Sequence, residues 1–230
     1  MKTSFDRIAP FYDMLAYWAF QGKIQQAQRH FLPIIPENAH LLFVGGGTGF
    51  LLPDLFRLEK IRHVTYVEAS AHMLSRAKET VAHYQKKHSA AALPTLTFIH
   101  GSEKDIPDTA QYQVVITNFI FDMYTDEALP LLMHRIHSHL SQKAIWLFTD
   151  FRLSPQKKYR FWQRSLLKFM FWFFRITAGL STQQLPDYAR HFQTLGWKNT
   201  QEQSFFGDFI VSRAYRATAV SGKDAFLSER

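Results

Sequence analysis

One stretch, Leu41-Leu42-Phe43-Val44-Gly45-Gly46-Gly47-Thr48-Gly49-Phe50-Leu51-Leu52, constrains the fold of this 230-residue chain more than any other. Its apolar run, residues 41–44, is too short for a helix and suits a buried strand of a parallel sheet. The glycines that follow allow a sharp turn and let backbone N–H groups approach a ligand closely. Thr48 stands where it can help start the next helix, whose positive end attracts an anionic group. The expected unit is a strand, a glycine loop and a helix N-terminus facing a bound molecule. A plain tight turn is the alternative that a glycine cluster alone leaves open.

His63-Val64-Thr65-Tyr66-Val67-Glu68 then reads as a second strand. It ends in an acid about 20 residues past the glycines, where α/β nucleotide folds place a carboxylate for ribose hydroxyls. A dinucleotide site also wants a small third residue in its Gly-x-Gly-x-x-Gly pattern. Counting from Gly45 puts Phe50 in that slot, and counting from Gly47 puts Leu52 there. Both are bulky, so the dinucleotide reading weakens, while a loop cradling an amino-acid carboxylate beside a nucleoside survives.

The segment Phe43-Val44-Gly45-Gly46-Gly47-Thr48-Gly49 resembles the first motif of class I S-adenosylmethionine-dependent methyltransferases, Asp-Val-Gly-x-Gly-Thr-Gly. The glycines match, and Phe43 replaces the acid that helps fix the loop and the methionine end of the cofactor in that family. The lead-in Phe5-Asp6-Arg7-Ile8-Ala9-Pro10-Phe11-Tyr12-Asp13 is similar to that of members acting on quinone precursors and other small molecules. The resemblance implies that Tyr12 lines the site near the transferred methyl; helix packing is the other role open to Tyr12 and Phe11. It further implies that Gly45, Gly46, Gly47, Thr48 and Gly49 cradle S-adenosylmethionine and that Glu68 meets its ribose. Met73 would pack on adenine, or simply fill the core. Ser102 holds the place of the family's adenine-binding Asp, and Glu103 follows; either can accept a hydrogen bond.

Gln111-Tyr112-Gln113-Val114-Val115-Ile116-Thr117-Asn118-Phe119 resembles the fourth motif of the same family, with Gln113 where Asp is usual. The backbone around Asn118 and Phe119 would hold the methionine ammonium, and Phe121, Asp122 and Tyr124 would lie on the loop facing the acceptor. Asp122 is the acid considered as a proton acceptor, with a loop or helix-cap role as its alternative. No nucleophile is paired with a base, and methyl transfer requires none: the sulfonium is activated, and alignment supplies most of the rate.

The remaining pattern alternates strands and helices. Strands are predicted at 96–99, 111–119, 143–150, 197–205 and 208–215, and helices at 70–87, 127–140 and 183–195, the last stopping at Gly196. This predicts an α/β, Rossmann-like, doubly wound and mostly parallel seven-stranded sheet with ligands at its carboxyl ends. Residues 1–38 form a helical lead-in, 39–216 the cofactor-binding domain, 152–181 a helical lid insert after the fifth strand, and 217–230 a tail. Hydrophobic residues make up 47% of the chain, enough for one sizeable core. No cysteine is present, which excludes disulfides and thiol chemistry and is compatible with a reducing compartment. With no signal-like stretch after Met1, a cytoplasmic location is expected. His134, His137 and His139 come nearest to metal-ligand spacing but lie on a predicted helix, so no metal is expected.

Residues 152–180 carry seven basic side chains and no acid, interleaved with Phe161, Trp162, Phe169, Phe171, Trp172, Phe173 and Phe174. Charge interrupts the segment too often for it to span a bilayer. It suits a lid over a hydrophobic acceptor, a basic amphipathic element on an anionic membrane, a nucleic-acid surface, or a core-packing helix with a solvated edge. The lid is favoured. The formal charge of +8 likewise suggests an anionic partner.

The expected activity is S-adenosylmethionine-dependent methyl transfer to a small, partly apolar acceptor. An RNA or DNA methyltransferase is the alternative prompted by charge; against it, Asn118 is followed by Phe119, Ile120 and Phe121 rather than Pro-Pro-Tyr. A non-catalytic cofactor-binding or membrane-surface protein is left open by Phe43 and Gln113, both departures from acids.

Overall fold

In the computed structural model, which describes residues 20, 22–88, 93–179 and 182–218, seven strands form one sheet. They are β1 (Ala39–Val44), β2 (Ile61–Glu68), β3 (Thr95–His100), β4 (Tyr112–Asn118), β5 (Leu140–Phe151), β6 (Trp197–Phe205) and β7 (Ile210–Ala217). Their spatial order is β3-β2-β1-β4-β5-β7-β6, with β7 running antiparallel to both of its neighbours and the rest parallel. The helices are α1 (Lys23–Arg29), α2 (Leu52–Phe56), α3 (Ala71–Lys87), α4 (Leu129–Ser138), α5 (Lys157–Ala178) and α6 (Tyr188–Thr194). This is the doubly wound, Rossmann-like sheet expected from the sequence, with a helical insert after β5.

The continuous apolar run of β1 follows from burial on both faces. Leu41 and Phe43 pack with Leu52 and Leu55 of α2 and with Leu74 and Ala77 of α3. Leu42 and Val44 turn to the other layer, against Leu132 and Met133 of α4 and Phe192 of α6. β5 divides in the same way, Ile145 and Leu147 on one side, Trp146 and Phe148 on the other. α1 seats on β7: the Ser212 hydroxyl donates to the Ala27 carbonyl at 2.7 Å. The chain order reverses between β1 and β4, where an open α/β sheet forms its crevice. There Val44 is paired with both Val67 and Thr117, which brings Gly45, Glu68 and Asn118 side by side.

Three local expectations are corrected. Thr48 does not start a helix: α2 begins at Leu52, with no side-chain cap at Leu51. Gly49, at φ 75°, interposes a left-handed residue that a right-handed helix cannot contain. The helix expected over 183–195 is shortened to Tyr188–Thr194, because Pro186 biases Leu185 away from helical geometry and Asp187 caps instead, accepting the Arg190 N–H at 3.1 Å. The helix expected over 127–140 runs only from Leu129 to Ser138, and Leu140 already belongs to β5. The lead-in through residue 19, with Tyr12, and the tail from residue 219 lie outside the described residues.

Gly49 is also packed against α3. A Cβ placed on it would meet the Ala77 Cα and Cβ at 2.8 Å. Gly179, after α5, shares the left-handed backbone (φ 68°) but has no atom within 4 Å of a Cβ. Gly179→Ala should therefore cost only the conformational strain, about 1–2 kcal/mol. Gly49→Ala adds the overlap for a total of roughly 2–5 kcal/mol. Urea unfolding of both variants checks this, and equal losses would refute the close contact.

Candidate active site

The carboxyl ends of the central strands, with α1 and Phe174 of α5, surround a cavity of about 800 Å³. That lies in the upper part of the roughly 300–1,000 Å³ range that holds drug-sized ligands. Of the residues singled out in the sequence, Gly45, Gly46, Gly47, Thr48, Glu68, Met73, Ser102, Glu103, Asn118, Phe119 and Asp122 line it. Gly49 does not, being turned onto α3. Ile24, Gln25 and Gln28 of α1 also line it, a contribution from a distant part of the chain that no motif announced.

The glycine loop is held by β2. The Gly47 N–H donates to Glu68 Oε2 at 2.9 Å, and the Tyr66 hydroxyl donates to the Gly47 carbonyl at 2.9 Å. Glu68 Oε1 accepts the Ser70 N–H at 2.8 Å. Burial pushes the Glu68 carboxyl up, and the backbone donors pull it back. Each oxygen keeps a lone pair for a further donor. Gly46 owes its identity to Tyr66: a Cβ there would lie 2.2 Å from the ring. Phe43 packs edge-on against the same ring at 5.2 Å, and Phe98 does so at 5.5 Å. Phe43 therefore supports the tyrosine that holds the loop, a different device from the acid of the resembling motif.

The other departure lies away from the cavity. Gln113 Oε1 accepts the His40 N–H at 2.7 Å near the start of β4. Asn118 at the cavity end is five residues on, roughly 16 Å along the strand. Ser102 caps a short 3-10 turn, Glu103–Asp105: its hydroxyl accepts the Lys104 N–H at 3.3 Å, and its own N–H donates to Asp105 Oδ2 at 2.8 Å. That leaves Glu103 the less committed acceptor of the two. Met73 sits in the first turn of α3, capped as expected by Ser70 at 3.2 Å. His137 Nδ1 accepts the Trp197 indole N–H at 3.1 Å, a packing role.

Phe121 is corrected from an acceptor-facing residue to a core one. It is fully buried against Phe148 (5.3 Å) and Phe192 (5.9 Å). Asp122 beside it faces the cavity, and its Oδ1 is buried without a hydrogen-bond partner. Asn118 Nδ2 and Gln25 Oε1, on two other lining residues, are in the same condition. Such atoms each cost about 1–3 kcal/mol when left unpaired, and three on one cavity point to a polar ligand. Gly47 adds a vacancy, since nothing lies within 4 Å of a Cβ placed there. Two of the three unpaired atoms accept and one donates, so the residues present fit a molecule that carries both donors and acceptors, with Glu68 left to accept from ribose hydroxyls.

Behind Asp122 lies Asp150, at the end of β5, which the sequence reading passed over as a strand terminus. Its oxygens accept the Phe121 N–H at 3.1 Å and the Phe151 N–H at 2.8 Å. Burial raises both carboxyls: Asp122 to about 7, and Asp150 well above its ordinary value with the Asp122 charge adding to the effect. Tyr188, buried beside them, is raised by burial and by both carboxylates. The pair is thus poised to hold a proton near neutrality. Burial and the Glu103 charge push the Tyr124 phenol, also on the cavity wall, up to about 12, so it stays a donor.

A family model described as a methyltransferase domain matches residues 17–202. A search of curated proteins finds none that matches. Among solved structures, the chain is similar to one from a complex between the Haloferax volcanii Trm112 methyltransferase activator and a protein described as a methyltransferase (TM-score 0.66, 14% identity, 94% of this chain and 99% of that one). It is similar to magnesium protoporphyrin IX methyltransferase from Synechocystis with bound S-adenosylmethionine (TM-score 0.58, 14% identity, 86% and 81% covered). A third is 1,6-didemethyltoxoflavin-N1-methyltransferase from Burkholderia thailandensis with that compound and S-adenosylhomocysteine bound (TM-score 0.63, 13% identity, 94% and 87% covered). At these identities the likeness is one of fold.

The buried carboxyls predict a pH dependence of stability. Asp122 binds its proton more tightly folded (about 7) than its ordinary value of 3.8 allows. The stability it contributes is therefore complete below about pH 4 and is lost as the pH rises through about 7. The urea midpoint should fall between about pH 5 and about pH 8, and Asp122→Asn, which cannot ionise, should flatten that fall. An equal fall in both proteins would contradict the assignment.

Proposed function

This chain belongs to the methyltransferase-domain family, and from that premise we propose that it transfers a methyl group from S-adenosylmethionine to a small, partly apolar acceptor bound beside Asp122. The observation that carries this reading is the single cavity in which the glycine loop and Glu68 meet three buried, unpartnered polar atoms. Glu68 would accept the ribose hydroxyls, Met73 and Glu103 would meet the base, and the chain around Asn118 and Phe119 would hold the methionine end. When bound, S-adenosylmethionine supplies a methyl already activated as a sulfonium, so the protein needs no nucleophile of its own. Its residues bind, align the two partners and keep water away.

The acceptor is placed by what remains. Ile24, Ile120, Met123, Leu132 and Phe174 give the cavity an apolar wall, with Asp122 the ionisable group among them. This suits a small, partly apolar compound with one ionisable O–H or N–H. Asp122, ionised above about 7, accepts the proton that the acceptor gives up as the new bond forms.

Calorimetric titration with S-adenosylhomocysteine, with NAD(H) as the control, tests the cofactor. Micromolar binding of the first and none of the second is expected, and no binding of S-adenosylhomocysteine would end the reading. Glu68→Gln should weaken that binding by about 10-fold or more. Asp122→Asn should keep the affinity but lower turnover of an O–H or N–H acceptor by about 10²–10⁴-fold. It should also abolish the rise of kcat/KM through a pH of about 7. An unchanged profile would remove Asp122 from the chemistry.

A further inference from the structure

Helix α5 presents two opposed faces. The inner one is fastened to the β6–β7 hairpin. Trp162 packs on Phe206 at 5.4 Å and Phe209 at 5.7 Å, and the buried Gln163 accepts the Ser154 N–H and donates to the Gly207 carbonyl, both at 2.7 Å. Leu167 enters the core cluster of Phe151 and Phe209, and Phe174 reaches the cavity. The outer face carries Phe161 at 81% exposure, Phe169 at 52%, Trp172 at 57% and Ile176 at 65%. At 3.6 residues per turn these four fall within an arc of about 80° and extend over roughly 22 Å of helix. Lys157, Arg164, Lys168 and Arg175, all exposed, occupy the adjoining strip, and the helix contains no acid. Among the described residues no helix is long and apolar enough to cross a membrane.

We propose that this outer face of α5 docks the protein on an anionic membrane surface, with its aromatic strip at the headgroup–acyl boundary and its cations on the lipid phosphates. A strip of exposed large apolar side chains costs free energy in water unless something covers it. The charge beside it selects the cover: four cations without an acid complement an anionic surface, and the chain's formal +8 acts in the same direction. A second copy of the chain is disfavoured, because a two-fold contact through this face would bring the same cations together. Nucleic acid is disfavoured by Ile176, whose aliphatic side chain offers no stacking surface, and by the continuity of the apolar strip on a convex helix. Phe174 lies about 180° around the helix from the strip, so docking sets the cavity roughly one helix diameter, about 10–12 Å, from the lipid. The inference is independent of what the cavity does.

Vesicle sedimentation tests it, with phosphatidylcholine alone against phosphatidylcholine doped with phosphatidylglycerol, at low and high salt. Pelleting with the anionic vesicles, weakened by salt, is expected. The pair Arg164→Glu and Lys168→Glu should lower partitioning at least about 25-fold, about five-fold per cation lost. The pair Phe169→Ser and Trp172→Ser should also release the protein. Both double variants should bind S-adenosylhomocysteine and unfold as the parent does, which separates a lost surface from a lost fold. No pelleting, or equal pelleting with neutral vesicles, overturns the proposal. So does dimerisation that hides Trp172, or RNA binding lost on Arg164→Glu without any lipid binding.

Discussion

Gly47 is gripped by both of its backbone polar groups, and the rest of the site depends on that grip. Its N–H goes to Glu68 and its carbonyl receives the Tyr66 hydroxyl, each at 2.9 Å. Tyr66 and Glu68 are two residues apart and so share one face of β2. The bond to the tyrosine is worth about 0.5–1.5 kcal/mol net and the one to the carboxylate about 1.5–3, against roughly 1–2 kcal/mol of backbone freedom that each residue of the loop surrenders. The remainder comes from packing: Phe43 and Phe98 hold the Tyr66 ring, and Gly49 rests against Ala77. A loop of intrinsically mobile residues is thereby held in one conformation by a strand and a helix.

The cavity is the part of the molecule that its own stability does not favour. A carboxylate oxygen, an amide N–H group and an amide carbonyl oxygen are buried at its wall without partners, in a setting that raises the pKa values of Asp122 and of Asp150 behind it. The layer behind offsets this. Phe192 stacks on Tyr215 at 3.7 Å, Trp146 packs against Phe192 and Trp197, and the Trp146 indole donates to Thr117 at 2.8 Å. Polar atoms left unsatisfied beside so well filled a core have the character of groups kept for a ligand.

The central strands β1, β2, β4 and β5 were legible in the sequence because their apolar runs are buried on both faces and stop at a glycine, an acid or an asparagine. The glycine loop and Glu68 were legible because backbone approach and ribose recognition demand those residue types. Tyr66 was not, since an aromatic in a strand carries the same signal whether it fills the core or holds a loop. Phe43 looked like a defect in a motif when it is half of an aromatic pair. Asp150 was hidden as a strand end, and Gln25 could be found only by folding α1 onto β7. Thr48 and the 183–195 helix were misread for a common reason. A single left-handed residue, or one proline, outweighs the helical composition around it.

The contact between Gly46 and Tyr66 also bears on how such a sequence can change. Gly46 is absent from the residues with positive φ, so no backbone torsion reserves the position for glycine. The three atoms nearest to a Cβ there all belong to the Tyr66 side chain. A side chain at 46 therefore requires a smaller residue at 66, and that exchange gives up the hydroxyl that holds the Gly47 carbonyl. The two positions form an ordered pair, in which an accepted change at 66 must precede one at 46. The history of this loop is therefore contingent on one ring in the neighbouring strand.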